Sequence, residues 1–306
     1  MKKKVIIPLT IIVCLLAVEC VLRFKWGFCD ALLYRSDPHY EYIAQPNQSH
    51  HRFGCNILYN SYSQRNDEPD STRIHILGLG DSVLFGGQWI DQDSLATSIF
   101  TRETGMQMLN ISAGSWGPDN CAAYLKENGT FGAKAMILVC SSHDAYDVMD
   151  FKPVVGVHSS YPSSQYKLAI VEVLDRYLLP RLKGMFRKKQ LDPDEQVLHS
   201  AIVKKGKNFN PGFFKLKEIA ANAHIPFLIY LHPDAEEQKI NSFNEMGQLI
   251  IKWANENHVP LYNGFEGRED ISMYHDGIHL NVKGQKNLSA NMETMVEESL
   301  NESFSK

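Results

Sequence analysis

Two short stretches of the sequence combine residues that can carry out acyl transfer. Leu77-Gly-Leu-Gly-Asp-Ser82 ends an apolar run in a glycine-flanked serine, and Asp276 and His279 lie three residues apart near the C-terminus. A serine hydroxyl becomes a nucleophile when a histidine removes its proton, while a carboxylate holds that histidine in the required tautomer. Each stretch also fits a structural interpretation, namely a strand-to-helix turn with Ser82 as N-cap and a solvated loop.

Two further polar loops follow apolar runs and can supply an oxyanion hole. Gly114 and Ser115 lie in a loop of small residues, where the backbone can approach a substrate closely. His143 can donate a ring N–H to a developing oxyanion, or it caps the end of its strand. Together with the backbone N–H of Ser82, these groups are expected to stabilise negative charge on a carbonyl oxygen.

Two more polar residues are candidates for substrate binding. Arg65 lies in Tyr59-Asn-Ser-Tyr-Ser-Gln-Arg65, just before the first apolar run, and is either a substrate contact or part of a solvated loop. His232 ends a later apolar run, so it points to the same edge of a sheet. It is either a strand-end histidine with its hydrogen bonds satisfied or a substrate contact.

Short apolar runs that alternate with amphipathic stretches predict the elements that position these residues. The alternation favours an α/β fold, a parallel sheet of about five strands with helices on both faces. Ligands bind such sheets beyond the carboxyl ends of the strands, where all four loops would meet. The predicted strands are Arg73–Leu79, Met106–Ile111, Ala135–Cys140, Ile225–Leu231 and Val259–Tyr262, and the predicted helices are Leu95–Thr104, Asn120–Asn128, Phe213–Ala223, Glu236–Glu256 and Val282–Ser299.

The rest of the chain divides into three parts. Residues 1–29 form an apolar N-terminal segment, and residues 30–72 show no persistent period, which predicts an extended segment that wraps the body. The catalytic domain is predicted at 73–306, with an insertion at about 145–211 that is far longer than one crossover needs. The insertion contains a basic cluster within Tyr177–Gln190, which is either a solvated helix face or a binding surface for an anionic glycan or lipid headgroups.

The joint order of the four loops resembles the SGNH (GDSL-type) hydrolase family. Gly80-Asp81-Ser82 is similar to its first block and Asp276-Gly-Ile-His279 to its closing Asp-x-x-His block. The resemblance covers Arg73 to about Ser299. It implies a three-layer flavodoxin-like fold and serine ester chemistry, with Ser82 as nucleophile, His279 as base and Asp276 as the partner that orients it.

The middle blocks depart from the pattern of that family. The second block usually offers a glycine five residues after its asparagine, where this chain has Ser115, with Gly114 one place earlier. The third block is usually Gly-x-Asn-Asp, where Ser141-Ser-His143-Asp144 stands instead. An imidazole replaces an amide donor only in the right tautomer, so catalytic power is the property that this change affects.

The N-terminal segment predicts a membrane anchor. Three lysines, Lys2 to Lys4, precede the run Val5–Leu22, which as a helix spans about 27 Å. The segment fits an uncleaved anchor, a cleaved signal peptide or a buried core helix. Val18-Glu19-Cys20 does not match a signal-peptidase or lipoprotein site, which favours the anchor. Lysines on the near side favour an N-in orientation, which places the body outside the cytoplasm.

These observations predict a membrane-anchored serine esterase. Its substrate is expected to be an acylated carbohydrate or a similar ester, from which it removes small acyl groups, acetyl above all. An O-acyltransferase acting on surface polysaccharide and a catalytically weak glycan-binding or assembly protein are the alternatives. No metal or organic cofactor is required for this chemistry, and a net charge of −4 without a long basic block gives no sign of a nucleic-acid partner.

Overall fold

A computed structural model describes residues 2–186, 204 and 206–304 of the chain. The strands are β1 Tyr34–Asp37, β2 Glu41–Ala44, β3 Gln48–Arg52, β4 Cys55–Tyr59, β5 His75–Gly80, β6 Gln107–Ser112, β7 Ala135–Ser141, β8 Phe227–His232 and β9 Leu261–Asn263. The α-helices are α1 Lys2–Trp26, α2 Ser82–Phe85, α3 Ala96–Thr104, α4 Pro118–Asn128, α5 Ala169–Glu172, α6 Leu179–Phe186, α7 Gly212–Asn222, α8 Ala235–Ile240, α9 Glu245–Glu256 and α10 Val282–Phe304. A π-helical turn, Val173–Leu178, joins α5 to α6, and single 3-10 turns lie at Gln92–Ser94, Ser142–Ala145 and Ile271–Met273.

Strands β5 to β9 form one parallel sheet in the order β6-β5-β7-β8-β9. The order reverses at β5, so a crevice is expected beyond the carboxyl ends of β5 and its neighbours. Each of these strands lies within two residues of its predicted bounds. The predicted α/β class with a flavodoxin-like parallel sheet is confirmed.

Both faces of the sheet are buried by helices. One face packs side chains such as Leu77 and Leu138 against α4, α7 and α9. The other packs Ile76 and Val139 against α2, α3 and α10. Successive side chains of a strand point to opposite faces, so a strand with helices on both sides is apolar throughout. This is why the five apolar runs are visible in the sequence.

Residues 30–72 contain more regular structure than their composition predicts. β1 pairs with β2 and β3 with β4 as two antiparallel hairpins. Tyr34, Tyr42, Ile57 and Tyr59 belong to the same buried cluster as one face of the parallel sheet. The segment therefore contributes to the core. The sequence does not show a strand pattern here, because each strand is only four or five residues long and its residues are largely polar or tyrosine.

The predicted helix Glu236–Glu256 is wrong as a single element. It is two helices, α8 and α9, because Asn241 adopts a left-handed conformation with φ of 51° and ends α8. Asn244 then caps α9 by accepting hydrogen bonds from the N–H groups of Met246 and Gly247. Asparagine is favoured at both kinds of position, so the two asparagines were the available sequence signal.

Candidate active site

Ser82 is the first residue of α2, directly after the buried strand β5. Asp81 caps this helix, since its carboxylate accepts the N–H of Val83 at 2.8 Å. The N-cap role that Ser82 could have filled is therefore taken by its neighbour. The Ser82 hydroxyl makes no hydrogen bond to a described side chain, and it lines a cavity of about 1070 Å³. A serine in this position is open to a substrate.

His279 lines the same cavity and is paired with Asp276. The Nδ1 atom of His279 and the Oδ2 atom of Asp276 are 2.8 Å apart, and the other oxygen of Asp276 accepts the N–H groups of Ile278 and His279. Partial burial alone would raise the pKa of Asp276, but these N–H groups and the histidine lower it. The carboxylate is thus charged at neutral pH and holds the Nδ1 proton, which leaves Nε2 of the ring free to accept a proton.

The loop after β6 also reaches the cavity. Gly114 and Ser115 line it, and Ser115 has a φ of 58°, in the left-handed region that favours glycine. Two tyrosine hydroxyls hold this turn, because Tyr42 and Tyr161 donate to the carbonyl of Gly114 at 2.8 and 3.0 Å. Because these two hydroxyls occupy the carbonyl of Gly114, the backbone N–H groups are the polar groups of the turn that remain available to a substrate.

His143 lies at the cavity after β7, beside a group of buried carboxyls. Its Nε2 atom is 3.6 Å from Asp81 Oδ2 and 4.0 Å from Asp147 Oδ2. Asp81, Asp144 and Asp147 each keep one buried oxygen without a hydrogen-bond partner. Burial and the Asp81 charge raise the pKa of Asp144 well above its usual range. Asp81 is the carboxylate closest to this nitrogen, and its position suits the His143 tautomer with the hydrogen on Nε2, which is the one that a donor from this nitrogen needs.

Ligand atoms of Asp81, His143 and Asp144 lie within 4.8 Å of one another, so this group could hold a divalent cation. A cation would reduce the repulsion between the two carboxylates. Protonation of Asp144 reduces it as well, because it leaves one negative charge on the Asp81–Asp144 pair instead of two. Serine ester chemistry needs no cation at this position.

Asp147 gives the site a measurable pH dependence. Burial, above all, raises its pKa from about 4 to about 8. The folded state therefore holds a proton that the unfolded state loses between these pH values, so stability falls as pH rises through that window. We expect Asp147→Asn to remove this dependence and to gain about 4 kcal/mol relative to wild type between pH 5 and pH 8.5, at about 1.4 kcal/mol for each pH unit below the raised pKa. Thermal unfolding across that range, with the exposed Asp93→Asn as control, measures it; parallel curves for both variants would contradict the assignment.

Arg65 lies outside the cavity lining, and its placement does not support the predicted substrate contact. The residue is fully buried, and its guanidinium donates to the backbone carbonyls of Phe85, Gly87 and Ile90. It therefore fixes the loop that follows α2. Arginine is suited to this role because its planar fork presents several donors at once.

His232 is likewise fully buried and lies outside the cavity lining. Its Nδ1 is 2.9 Å from Glu269 Oε2, and its Nε2 is 2.7 Å from the carbonyl of Ile278, next to His279. Burial alone would lower the pKa of His232, but the Glu269 carboxylate outweighs it and raises that pKa. The structural alternative, a strand-end histidine with satisfied partners, fits this geometry. The pair supports the loop that carries Asp276 and His279.

We expect Glu269→Gln to disturb that loop. Removing one partner of a buried pair leaves the other without compensation and costs about 3–5 kcal/mol. The free energy of unfolding should fall by that amount and kcat by at least tenfold, with KM little changed because neither residue contacts the cavity. Denaturant unfolding and ester turnover measure both, with the exposed Glu266→Gln as control. Unchanged turnover in the folded variant would contradict the positioning role.

Trp89 is a site residue that the sequence reasoning did not select. It lines the cavity, its ring is stacked on His275 at 4.7 Å, and its edge meets His279 at 5.2 Å. It lies in the Gly86–Ile90 loop that Arg65 fixes. An aromatic residue two positions after the glycine pair that follows α2 was the available signal. The ring limits the movement of the His279 imidazole.

No family model and no curated protein sequence matches the chain. Solved structures do match it in fold. A member of the lipolytic protein G-D-S-L family from Veillonella parvula is 12% identical, with 71% of this chain and 94% of that chain covered and a TM-score of 0.36. The psychrotrophic esterase EstA from Pseudoalteromonas is 14% identical, with 74% and 98% covered and a TM-score of 0.39. A two-domain esterase active on acetylated mannans is 9% identical, with 74% and 50% covered and a TM-score of 0.39.

Proposed function

We propose that the chain is a serine ester hydrolase that works through an acyl-Ser82 intermediate. The observation that carries this proposal is the cavity itself, which Ser82, His279, Gly114, Ser115 and His143 all line. A nucleophile, a base held by a carboxylate, and donors for an oxyanion are the three parts that acyl transfer needs.

The reaction follows from these positions. Ser82 Oγ attacks the ester carbonyl while Nε2 of His279 takes its proton, and the oxyanion accepts hydrogen bonds from the Ser82 N–H, the Gly114–Ser115 turn and His143. His279 then returns the proton to the leaving alcohol, and the acyl group stays on Ser82. Water, deprotonated by the same histidine, attacks the acyl-enzyme, so that a carboxylic acid leaves and Ser82 is restored.

We further propose acetylated carbohydrate as the substrate, with acetate as the acyl group released. A sugar hydroxyl in place of water would make the same site an O-acyltransferase. The full chain in detergent, given an acetylated oligosaccharide with and without unacetylated acceptor, separates the two reactions. Free acetate without transfer supports the hydrolase, whereas acetyl appearing on the acceptor identifies a transferase. Binding of the oligosaccharide without either reaction would identify a glycan-binding protein.

His143 provides a test of the oxyanion hole. We expect His143→Ala to lower kcat by about 10²–10³, the effect of removing one such donor. His143→Asn restores the amide that the SGNH third block carries, so its kcat should stay within about tenfold of wild type. Steady-state turnover of nitrophenyl acetate measures both. If the alanine variant keeps full activity, the oxyanion is held by backbone N–H groups alone.

We propose that α1 is retained as an N-in anchor with the body outside the cytoplasm. The helix Ile6–Trp26 is long and apolar enough to cross a bilayer or to serve as a signal sequence. Its contacts support retention, because Glu19 accepts the N–H groups of Ala169 and Ile170 and Arg23 donates to the carbonyl of Lys167. Cleavage would remove these partners. Recovery of a chain that begins after residue 20 from membranes would contradict the anchor.

A further inference from the structure

The insertion carries a continuous helical segment, α5 to α6 with its π turn, which we call the insertion helix (Ala169–Phe186). One side of it is bound to the body. Glu172 is fully buried and its Oε1 is 2.6 Å from Nη2 of Arg52, the last residue of β3. Arg176 lies one turn further and is 3.1 Å from the same carboxylate oxygen. These contacts fix which side of the helix faces the protein.

The opposite side of the insertion helix is apolar. Its side chains recur every three or four residues, which places them on one side of the helix, and they are between 39% and 45% exposed. They are Val171, Leu174, Leu178 and Leu182. The exposed Asp175 and Arg181 flank this apolar row, whereas Glu172 and Arg176 point to the protein. A row of exposed leucines and valine along a helix differs from the polar outer face expected of a helix that faces water.

The start of the insertion helix lies beside the outer end of α1. Glu19 of α1 accepts the first N–H groups of the helix at 2.7 and 3.0 Å. The exposed aromatic residues Phe24 and Trp26 end α1 just beyond this level. Aromatic rings of this kind are enriched where a span leaves the bilayer. The apolar face therefore continues the apolar surface of α1 at the boundary of a bilayer.

The same helix lines the catalytic cavity. Arg176 and Tyr177 lie in the wall of the cavity that contains Ser82 and His279. Tyr177 also packs edge-to-face against Phe28, two residues after α1 ends, with ring centroids 5.7 Å apart. The inner side of the insertion helix therefore lines the cavity. Its outer side lies at the same height as the outer end of α1.

We propose that the outer face of the insertion helix rests in the interfacial layer of the bilayer that α1 enters, and that the cavity consequently takes an ester borne by a membrane amphiphile. The substrate would be an acylated polar headgroup whose lipid part stays in the bilayer. This inference rests on the proposed anchor and, for the substrate class, on the proposed ester hydrolase. Helices of this kind bind by burying an apolar face in the boundary between headgroups and acyl chains.

The depth of the face is measured with nitroxide labels on the full chain in vesicles of phosphatidylcholine and phosphatidylglycerol. Val171→Cys, Leu174→Cys and Leu178→Cys are labelled in a chain whose four unburied cysteines are alanine. Ile74→Cys, similarly exposed but at the amino edge of the sheet, is the control. We expect the three labels to be at least fivefold less accessible to a water-soluble nickel relaxant than the control. Equal accessibility, or protection by a second copy in detergent without lipid, would overturn the proposal.

Turnover tests the substrate class separately. The ester is a peracetylated hexadecyl glucoside in vesicles, compared with soluble nitrophenyl acetate. We expect Val171→Glu/Leu174→Glu to lower acetate release from the vesicle-borne ester at least tenfold while nitrophenyl acetate turnover and the unfolding temperature match those of Ile74→Glu. An equal fall with both esters would contradict the docking role. If wild type hydrolyses neither ester, the ester-hydrolase proposal fails together with the substrate class, and the label depths still decide the docking.

Discussion

Replacing Ser82 by alanine is expected to lower ester turnover by about 10⁴–10⁶, the range found when a serine nucleophile is removed from an intact site. The variant keeps the N–H groups of the oxyanion hole, so the residual rate should still exceed the reaction in water. Its unfolding temperature should match that of wild type, because Asp81 and not Ser82 caps α2. Steady-state kinetics on nitrophenyl acetate measures the loss.

The surface variant Ser36→Ala is the matched control, since Ser36 is an exposed residue of β1. It should retain wild-type turnover. A Ser82→Ala protein that is folded and loses less than tenfold would show that another group attacks the ester, and the proposed acyl-Ser82 intermediate would be wrong.

Replacing His279 by alanine is expected to cost about 10⁴-fold in kcat, because no other described ring in the cavity is held for proton transfer by a carboxylate at hydrogen-bond distance. The variant leaves a space beside Trp89, so added imidazole should restore part of the rate. Asp276→Asn should cost less, about 10–10³, because the carboxylate is 46% exposed and water can replace part of its charge.

His39→Ala is the control for this series, since His39 is 56% exposed and remote in sequence from both catalytic loops. Turnover of nitrophenyl acetate from pH 5 to pH 9 gives a second readout. The wild-type rate should rise as a basic group becomes deprotonated, and that limb should disappear in His279→Ala. Persistence of the same pH limb in the variant would assign the proton transfer to a different group, with His143 the first candidate.

The sequence was sufficient for the sheet because parallel strands buried on both faces are nearly continuous apolar runs. The placement of Ser82 at the cavity and the pairing of Asp276 with His279 could be predicted because local spacing determines them, by a strand-to-helix turn and by one turn of loop. The two hairpins of residues 30–72 were missed, since their strands are short and bury tyrosines between polar residues.

Long-range contacts explain the remaining differences. Nothing near Arg65 in the sequence indicates that its guanidinium donates to the backbone carbonyls after α2. The contact joins residues that are distant in sequence, so it can be recognised only from the three-dimensional structure. Glu269 lies 37 residues after His232, so the pair that supports the catalytic loop has no local pattern. The carboxyl cluster around Asp147 is indicated in the sequence by one weak signal only, the spacing of four residues between His143 and Asp147.

The basic cluster of the insertion was predicted from composition. Only part of it belongs to the described residues. Arg181 belongs to the described helix, whereas Arg187, Lys188 and Lys189 lie outside the described residues. The feature that composition did not indicate is the apolar face of Val171, Leu174 and Leu178. Hydropathy averaged over a window does not separate the two sides of a helix, and that face became recognisable once Glu172 defined the inner side.

The most direct measurement of the central claim is covalent labelling of Ser82. The full chain in detergent is treated with a fluorophosphonate, digested, and analysed by mass spectrometry for the modified peptide. We expect stoichiometric phosphonylation of Ser82 that falls at least a hundredfold in His279→Ala and persists in Ser36→Ala. A folded protein that is unlabelled at Ser82, or labelled there equally with and without His279, would contradict the assignment of this cavity as a serine ester hydrolase site.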